Sequence, residues 1–216
     1  MLKKFISTSR AGTLPTTRRS FLVGSAAIAG GLMVGMRPIS AVASQSDSAD
    51  ALTGYIQITP DNKVTILSSQ FDMGQGPYHG IATLVIEELG ADWLQIDVKG
   101  AYGNTKLYGN IMWGGTAQGT GGSTSMATSF DRYRTAGAAA RMMLASAAAE
   151  SWNVPVEEVE VKDGVISHAS GNSATFGEMA ERAASQPVPQ NVPLKDPSDW
   201  TNIGKPELRR FDTASK

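Results

Sequence analysis

Two glycine-rich turns hold most of the chemistry this sequence offers. Met73-Gly74-Gln75-Gly76 lies between a predicted strand and a predicted helix. Thr120-Gly121-Gly122-Ser123-Thr124-Ser125 opens a second, longer helix. Glycine lets the backbone approach a ligand closely, and the free N–H groups at a helix start attract anions. The hydroxyls of Thr120, Ser123 and Ser125 add further donors. One such turn is most simply a tight turn. Two of them, each opening a helix in so short a chain, suggest one shared anionic ligand that carries phosphates. Neither is a Walker A loop, because no Gly-Lys-Ser/Thr follows. Neither completes a Gly-x-Gly-x-x-Gly fingerprint, since His79 stands where the third glycine belongs. A standard nucleotide or NAD site is therefore disfavoured.

Other chemistries are bounded by composition. The 19 basic and 20 acidic residues nearly balance, so no basic surface points to nucleic acid. The absence of cysteine excludes cysteine-ligated iron–sulfur clusters and c-type haem within these 216 residues. With only His79 and His168, a histidine-rich metal site is not expected, and each reads as a surface or hydrogen-bonded residue. Glu87, Glu88 and Glu178 read as helix-surface or capping residues. No catalytic residue and no metal ligand is assigned.

The elements that must position the turns follow from periodicity. Tyr55-Ile56-Gln57-Ile58 and Val64-Thr65-Ile66-Leu67 flank Pro60-Asp61-Asn62 and predict a hairpin. Ile81, Leu84, Val85 and Leu89 share one helix face, with Glu87 and Glu88 on the other side, Pro77 in the first turn and Gly90 at the end. Leu94, Ile96 and Val98 alternate with Gln95, Asp97 and Lys99 as a half-buried strand. A loop follows over 100–125. A long alanine-rich helix is predicted over 126–152, buried on more than one side. Asp163-Gly164 turns a second hairpin, and Thr175 with Glu178 forms a capping box before a short helix. Pro187, Pro189, Pro193, Pro197 and Pro206 then mark an extended tail lying across another surface. The fold class is α+β: β-hairpins and short strands packed with two main helices.

The N-terminus reads as an address. Lys3, Lys4 and Arg10 precede Thr17-Arg18-Arg19-Ser20-Phe21-Leu22, an apolar stretch over 21–36, and the small-residue site Ala41-Val42-Ala43. This order makes a signal peptide, and the paired arginines make it a twin-arginine one. The apolar stretch is short for a bilayer span. The expected organisation is a signal peptide over 1–43, a domain over 44–186 and a Pro-rich tail or linker over 187–216. The expected location is the periplasm, with association at the outer face of the cytoplasmic membrane a further option. Twin-arginine export carries folded proteins, which raises the expectation of a cofactor inserted before export.

Several segments together carry a resemblance. Phe71-Asp72-Met73-Gly74-Gln75-Gly76, Glu87-Glu88-Leu89 and Asp92-Trp93 resemble the molybdopterin-binding subunit of the xanthine oxidase and aldehyde oxidase family. So do the 120–125 turn and Ala136-Gly137-Ala138-Ala139-Ala140-Arg141 after it. The chain is most similar to the exported isoquinoline 1-oxidoreductase and aldehyde dehydrogenase branch, and the likeness continues through Val192-Pro193-Leu194-Lys195-Asp196-Pro197 and Ile203-Gly204-Lys205-Pro206.

The resemblance implies an oxidoreductase that hydroxylates a carbon beside a heteroatom, or oxidises an aldehyde, using molybdenum on molybdopterin cytosine dinucleotide. It implies that Gly74, Gln75 and Gly76 contact the pterin or its phosphates, and that Thr120, Gly121, Gly122, Ser123 and Ser125 hold the dinucleotide portion. It implies partners: the remainder of the molybdopterin subunit, an iron–sulfur subunit and, in some assemblies, a cytochrome c subunit. The family's large subunits are several times longer, and their catalytic glutamate lies in a Gly-x-Gly-Glu segment not found here. The expectation is therefore a partial molybdopterin-binding domain that shares its cofactor with a partner chain and is not catalytic alone. An exported small-ligand or protein-binding domain without cofactor, or a non-functional remnant, are the alternatives.

Overall fold

The computed structural model describes residues 23–28, 31–36, 54–187, 189, 191–205 and 210. Arg18, Arg19 and the 41–43 cleavage site lie outside the described residues. Twelve elements follow in chain order: β1 (Val23–Ile28), β2 (Gly31–Met36), β3 (Ile56–Ile58), β4 (Val64–Ser68), α1 (Pro77–Leu89), β5 (Ile96–Gly100), α2 (Thr105–Tyr108), α3 (Ser125–Trp152), β6 (Val159–Lys162), β7 (Val165–His168), β8 (Ser173–Thr175) and α4 (Phe176–Ala184). Mixed helices and short strands make the α+β class expected from the sequence.

One sheet has the order β1-β2-β3-β4-β5, and the other has the order β6-β7-β8. In the first, all neighbours are antiparallel except β4 and β5, which run parallel in the register Val64↔Ile96 to Ser68↔Gly100. A parallel pair needs a crossover, and α1 supplies it. Every residue of β4 is buried, as expected for a strand covered on both faces. The first glycine turn thus leaves the carboxyl end of β4, the edge where open α/β sheets commonly take ligands.

The core forms where α1 and α3 pack on this sheet. Ile56, Ile58, Val64, Ile66, Ile81, Val85, Leu89, Tyr133, Ala140 and Leu144 are all fully buried or nearly so. Gly137 permits the close approach of the two helices. A Cβ there would stand 2.9 Å from the Val85 carbonyl oxygen and 3.1 Å from Glu88 Cβ.

The structure corrects three local expectations. Leu94 does not belong to a strand. Asp92 and Gln95 close a capping box around a short 3-10 turn, Trp93–Gln95, and Leu94 is left 94% exposed. The 100–125 loop contains α2 and a 3-10 turn, Ile111–Trp113. Between Arg132 and Ala149 no residue of α3 is exposed, as the expected burial on more than one side requires. Glu87 and Glu88 are not surface residues; both are 0% exposed.

The burial of those two glutamates has a clear cause. They clasp the tail. Glu87 accepts hydrogen bonds from the N–H groups of Thr201, Asn202 and Ile203 at 2.6–3.2 Å and an ion pair from Lys195 Nζ at 3.2 Å. Glu88 accepts from Lys195 N at 3.1 Å and pairs with Arg134 at 2.7 Å, while Arg134 donates back to the Lys195 carbonyl at 2.7 Å. Burial acts to raise the Glu87 carboxyl, but the N–H groups of Asn202, Ile203 and Thr201 and the Lys195 ammonium outweigh it, so its pKa lies below the ordinary value. The tail over 191–205 therefore lies on this domain, with Val192 and Ile203 against the core.

Candidate functional site

The two glycine turns meet. The Thr120 hydroxyl accepts a hydrogen bond from Phe71 N at 2.7 Å and donates to Gln70 Oε1 at 3.1 Å. Gln70 is 1% exposed, so Thr120 anchors the second turn to a buried support beneath the first. That support is itself braced. Tyr133 accepts from Ser69 N at 2.6 Å and donates to the Leu67 carbonyl at 2.8 Å. Burial pushes the Tyr133 phenol well above its usual range, which keeps it a donor.

The first turn closes on itself. Asp72 Oδ1 accepts from Gly74 N at 2.7 Å, and Oδ2 accepts from Tyr78 N at 3.2 Å, placing a carboxylate at the N-terminus of α1, where the helix dipole favours it. The Gln75 side chain spans the loop, accepting from Met73 N at 2.6 Å and donating to the Phe71 carbonyl at 2.7 Å. Arg210 returns from the tail to donate to the Gly74 carbonyl at 2.9 Å, with Asp72 at 3.9 Å. Gly74 and Gly76 have φ of 104° and 93°, which side chains rarely tolerate. A Cβ at Gly74 would meet nothing within 4 Å, whereas one at Gly76 would meet the Arg210 guanidinium at 3.5 Å, so the loop backbone is open to a ligand at Gly74.

The second turn is held from beneath and left open above. Asn110, fully buried, donates to Thr124 Oγ1 at 2.7 Å. Thr124 Oγ1 in turn donates to the Gly121 carbonyl at 2.8 Å. Gly122 and Ser123 are both left-handed, with φ of 60° and 56°. Thr124 is the N-cap of α3, yet no side chain caps that helix start. The first N–H groups of a helix have no partner within it, so the start of α3 remains available to an anion. Trp113 lies against the turn, with its ring 3.5 Å from where a Gly121 Cβ would stand.

The eight residues expected at the site thus fall in one region, although the Gln75 side chain is engaged inside its own loop. Gln70, Asn110, Asp72 and Arg210 also hold the turns, and only Asp72 lay within a segment singled out from the sequence. Asn110 leaves no local signature, because its role depends on residues 14 positions away. Around the turns, Phe71, Met73, Ile111, Met112, Trp113 and Met126 are exposed apolar residues. Two clefts of about 620 and 400 Å³ lie elsewhere, and no residue of either turn lines them. Among the described residues, no group of three or more histidine, aspartate or glutamate side chains is placed to hold a metal ion.

The sequence model of the molybdopterin cofactor-binding domain matches residues 15–214. The chain belongs to this family. Within it, the chain is similar to the beta subunit of isoquinoline 1-oxidoreductase from Brevundimonas diminuta. The two are 35% identical over 187 residues, covering 84% of this chain and 23% of the relative. It is similar too to the membrane-bound aldehyde dehydrogenase [pyrroloquinoline-quinone] of Gluconacetobacter polyoxogenes. There the identity is 29% over 213 residues, covering 93% of this chain and 26% of the relative. This molybdopterin-binding domain therefore spans about a quarter of the length of these relatives. Among solved structures, quinoline 2-oxidoreductase from Pseudomonas putida 86 aligns over 63% of this chain and 17% of its own, at 20% identity and a TM-score of 0.43. Reconstituted CO dehydrogenase from Oligotropha carboxidovorans aligns over 58% of this chain and 15% of its own, at 24% identity and a TM-score of 0.45.

The turns of this molybdopterin-binding domain fit an anionic, phosphate-bearing cofactor. The observation is on the chain itself: an uncapped helix start beside a left-handed Gly122-Ser123 pair, with only the Thr124 methyl group, at 3.9 Å, near a Gly122 Cβ. Successive N–H groups in such turns form an anion-binding concavity.

Proposed function

We propose that the domain holds molybdopterin cytosine dinucleotide across the seam between the turns, as one part of a molybdenum hydroxylase or aldehyde dehydrogenase. The observation that carries this reading is the Thr120 hydrogen bond to Phe71, which joins the uncapped α3 start to the Gly74-Gln75-Gly76 backbone. The two turns divide the work. At the first, the Asp72 carboxylate already occupies the α1 N-terminus, so that turn offers close backbone approach to the pterin and not a phosphate seat. At the second, the open helix start with Ser123 and Ser125 receives the negative charge of the dinucleotide.

When bound, the molybdenum cofactor supplies two-electron oxidation of the substrate at its metal. This chain's own residues bind and orient the cofactor. Gly74 and Gly122 let the backbone approach, and Thr120 keeps the two turns in register. Electrons leave through an iron–sulfur subunit, in keeping with a chain that contains no cysteine, and a cytochrome c subunit accepts them in some assemblies. A second polypeptide supplies the remainder of the molybdopterin subunit and the acid–base residue. The exposed apolar residues around the turns suit burial against it. The twin-arginine motif makes the periplasm the site of action.

The experiment is native purification of the tagged chain from periplasm, with metal analysis, nucleotide release and identification of co-purifying proteins. Molybdenum with cytidine monophosphate and a larger partner is the expected result. A lone, metal-free chain would overturn the cofactor reading in favour of an orphan binding domain or a remnant.

A further inference from the structure

The segment that reads as the apolar part of the leader is also part of the sheet. β1 and β2 pair as an antiparallel hairpin from Val23↔Met36 to Ile28↔Gly31. β2 then pairs with β3 through Leu32↔Ile58, Met33↔Gln57 and Val34↔Ile56. Leu32 is fully buried and belongs to the main core cluster with Ile56 and Ile58. α4 packs along β2 as well. One stretch of chain cannot both leave with a signal peptide and stay as two strands of the sheet.

Removal of the leader would turn β3 into an edge. Hydrolysis of the peptide bond after Ala43 by a leader peptidase consumes one water, leaving a carboxylate on the leader and an amine on Ser44. The strand left behind is only three residues long, and its apolar residues Ile56 and Ile58 are 0% exposed while β2 is in place. A bare edge presents unpaired N–H and C=O groups and recruits another strand. The space vacated by Leu32 opens the core at the same point. The two-residue period of a strand means that an occupant must place an apolar side chain where Leu32 stands, opposite Ile58.

We propose that the β1–β2 hairpin is a placeholder. It closes the β3 edge in the precursor, and in the processed protein an antiparallel apolar strand of the partner polypeptide takes its seat by strand addition. The inference rests on the export and shared-subunit readings above. Its occupant is specified by the seat itself: β2 shows the register that the edge accepts, with the buried Leu32 opposite Ile58, and on the shared-subunit reading the remainder of the molybdopterin subunit supplies the strand.

The chain has no cysteine, so an introduced pair reports the contact without background. In the full-length precursor, Met33→Cys with Gln57→Cys, directly opposite across the ladder, cross-links on mild oxidation. An out-of-register pair, Met36→Cys with Gln57→Cys, does not. The processed chain is then recovered from periplasm and its N-terminus fixed by mass. Freed of partners, its Ile56 and Ile58 amides, which face β2, exchange with solvent quickly, while the Gln57 amide, which faces β4, stays protected. A synthetic peptide of residues 31–36 slows the Ile56 and Ile58 amides roughly tenfold or more. The same peptide carrying Val34→Pro does not.

Failure of the in-register cross-link would overturn the placeholder. So would Ile56 and Ile58 amides that are as protected in the isolated processed chain as in the precursor. A chain recovered with its leader intact would overturn the export reading, and the proposal with it. In that case a successful cross-link would show the hairpin to be a permanent part of the fold. Loss of molybdenum binding alone would leave the edge result standing.

Discussion

Thr120 Oγ1 lies 2.7 Å from Phe71 N, a hydrogen bond between residues 49 positions apart. The same hydroxyl donates to the buried Gln70 side chain, so one oxygen fixes the position of two turns. Its removal separates the effect of the seam from that of the turns themselves.

Thr120→Val keeps the shape and deletes both bonds. Loss of a typical hydrogen bond costs about 0.5–1.5 kcal/mol, and an unpaired buried acceptor at Gln70 raises that to about 1–3 kcal/mol. Urea unfolding should show a destabilisation in this range. Molybdenum retention in the assembled complex should fall further than stability does. Unchanged retention would mean that the seam does not serve the cofactor.

Gly122 has a φ of 60° in open surroundings, so a substitution there tests backbone conformation without a clash in the core. Gly122→Val should cost about 1–2 kcal/mol from the left-handed conformation alone. It should also shield the N–H groups at the α3 start and abolish cofactor retention. Gly122→Asn, which tolerates this conformation better, should retain an intermediate amount. Equal retention in all three proteins, read by metal analysis, would remove the second turn from the site.

Glu87→Gln should loosen the tail. Hydrogen bonds to a charged group are worth about 1.5–3 kcal/mol each in net terms, and the variant keeps the shape while losing the charge. Because the folded pKa of Glu87 lies below its ordinary value, its contribution is complete above the usual carboxylate range, about pH 4.3. It is lost as pH falls through the lower folded pKa. Limited trypsin cleavage after Lys195 should therefore accelerate in the variant at neutral pH, and in the wild type the tail should loosen only in acid, read as lost amide protection of Thr201, Asn202 and Ile203 relative to free-peptide exchange. Equal cleavage of the two proteins at neutral pH would rule out the clasp.

Gly137→Ala sets two effects against each other. Alanine gains about 1 kcal/mol of helix propensity over glycine. Against this, the new Cβ stands 2.9 Å from the Val85 carbonyl oxygen, a backbone atom, and overpacking typically costs about 1–3 kcal/mol. The backbone cannot yield as a flexible side chain would, so the variant should unfold at a lower denaturant concentration than wild type. A higher midpoint would mean that α1 and α3 move apart at little cost.

Those features that depend on a few adjacent residues were legible in the sequence. The Thr175–Glu178 capping box, the Asp163-Gly164 hairpin and the two glycine turns opening α1 and α3 each rest on chemistry within one turn of chain. All are present in the fold. Leu94 shows the limit of period-two reading. Asp92 and Gln95 satisfy each other's backbone in a capping box, and that local bond overrides the alternation that continues through Ile96 and Val98.

By itself, then, the sequence determined α1, α3 and α4, the β3–β4 and β6–β7 hairpins, the lack of cysteine and the two glycine turns that open helices. Only the tertiary structure decided that the turns share a seam at Thr120, that Asp72 fills one helix start while the other stays open, and that Glu87 and Glu88 are buried. The physical reason is distance along the chain. The donors to Glu87 lie 108–116 residues away, and no periodicity in the neighbourhood of a glutamate records a partner that only folding brings to it.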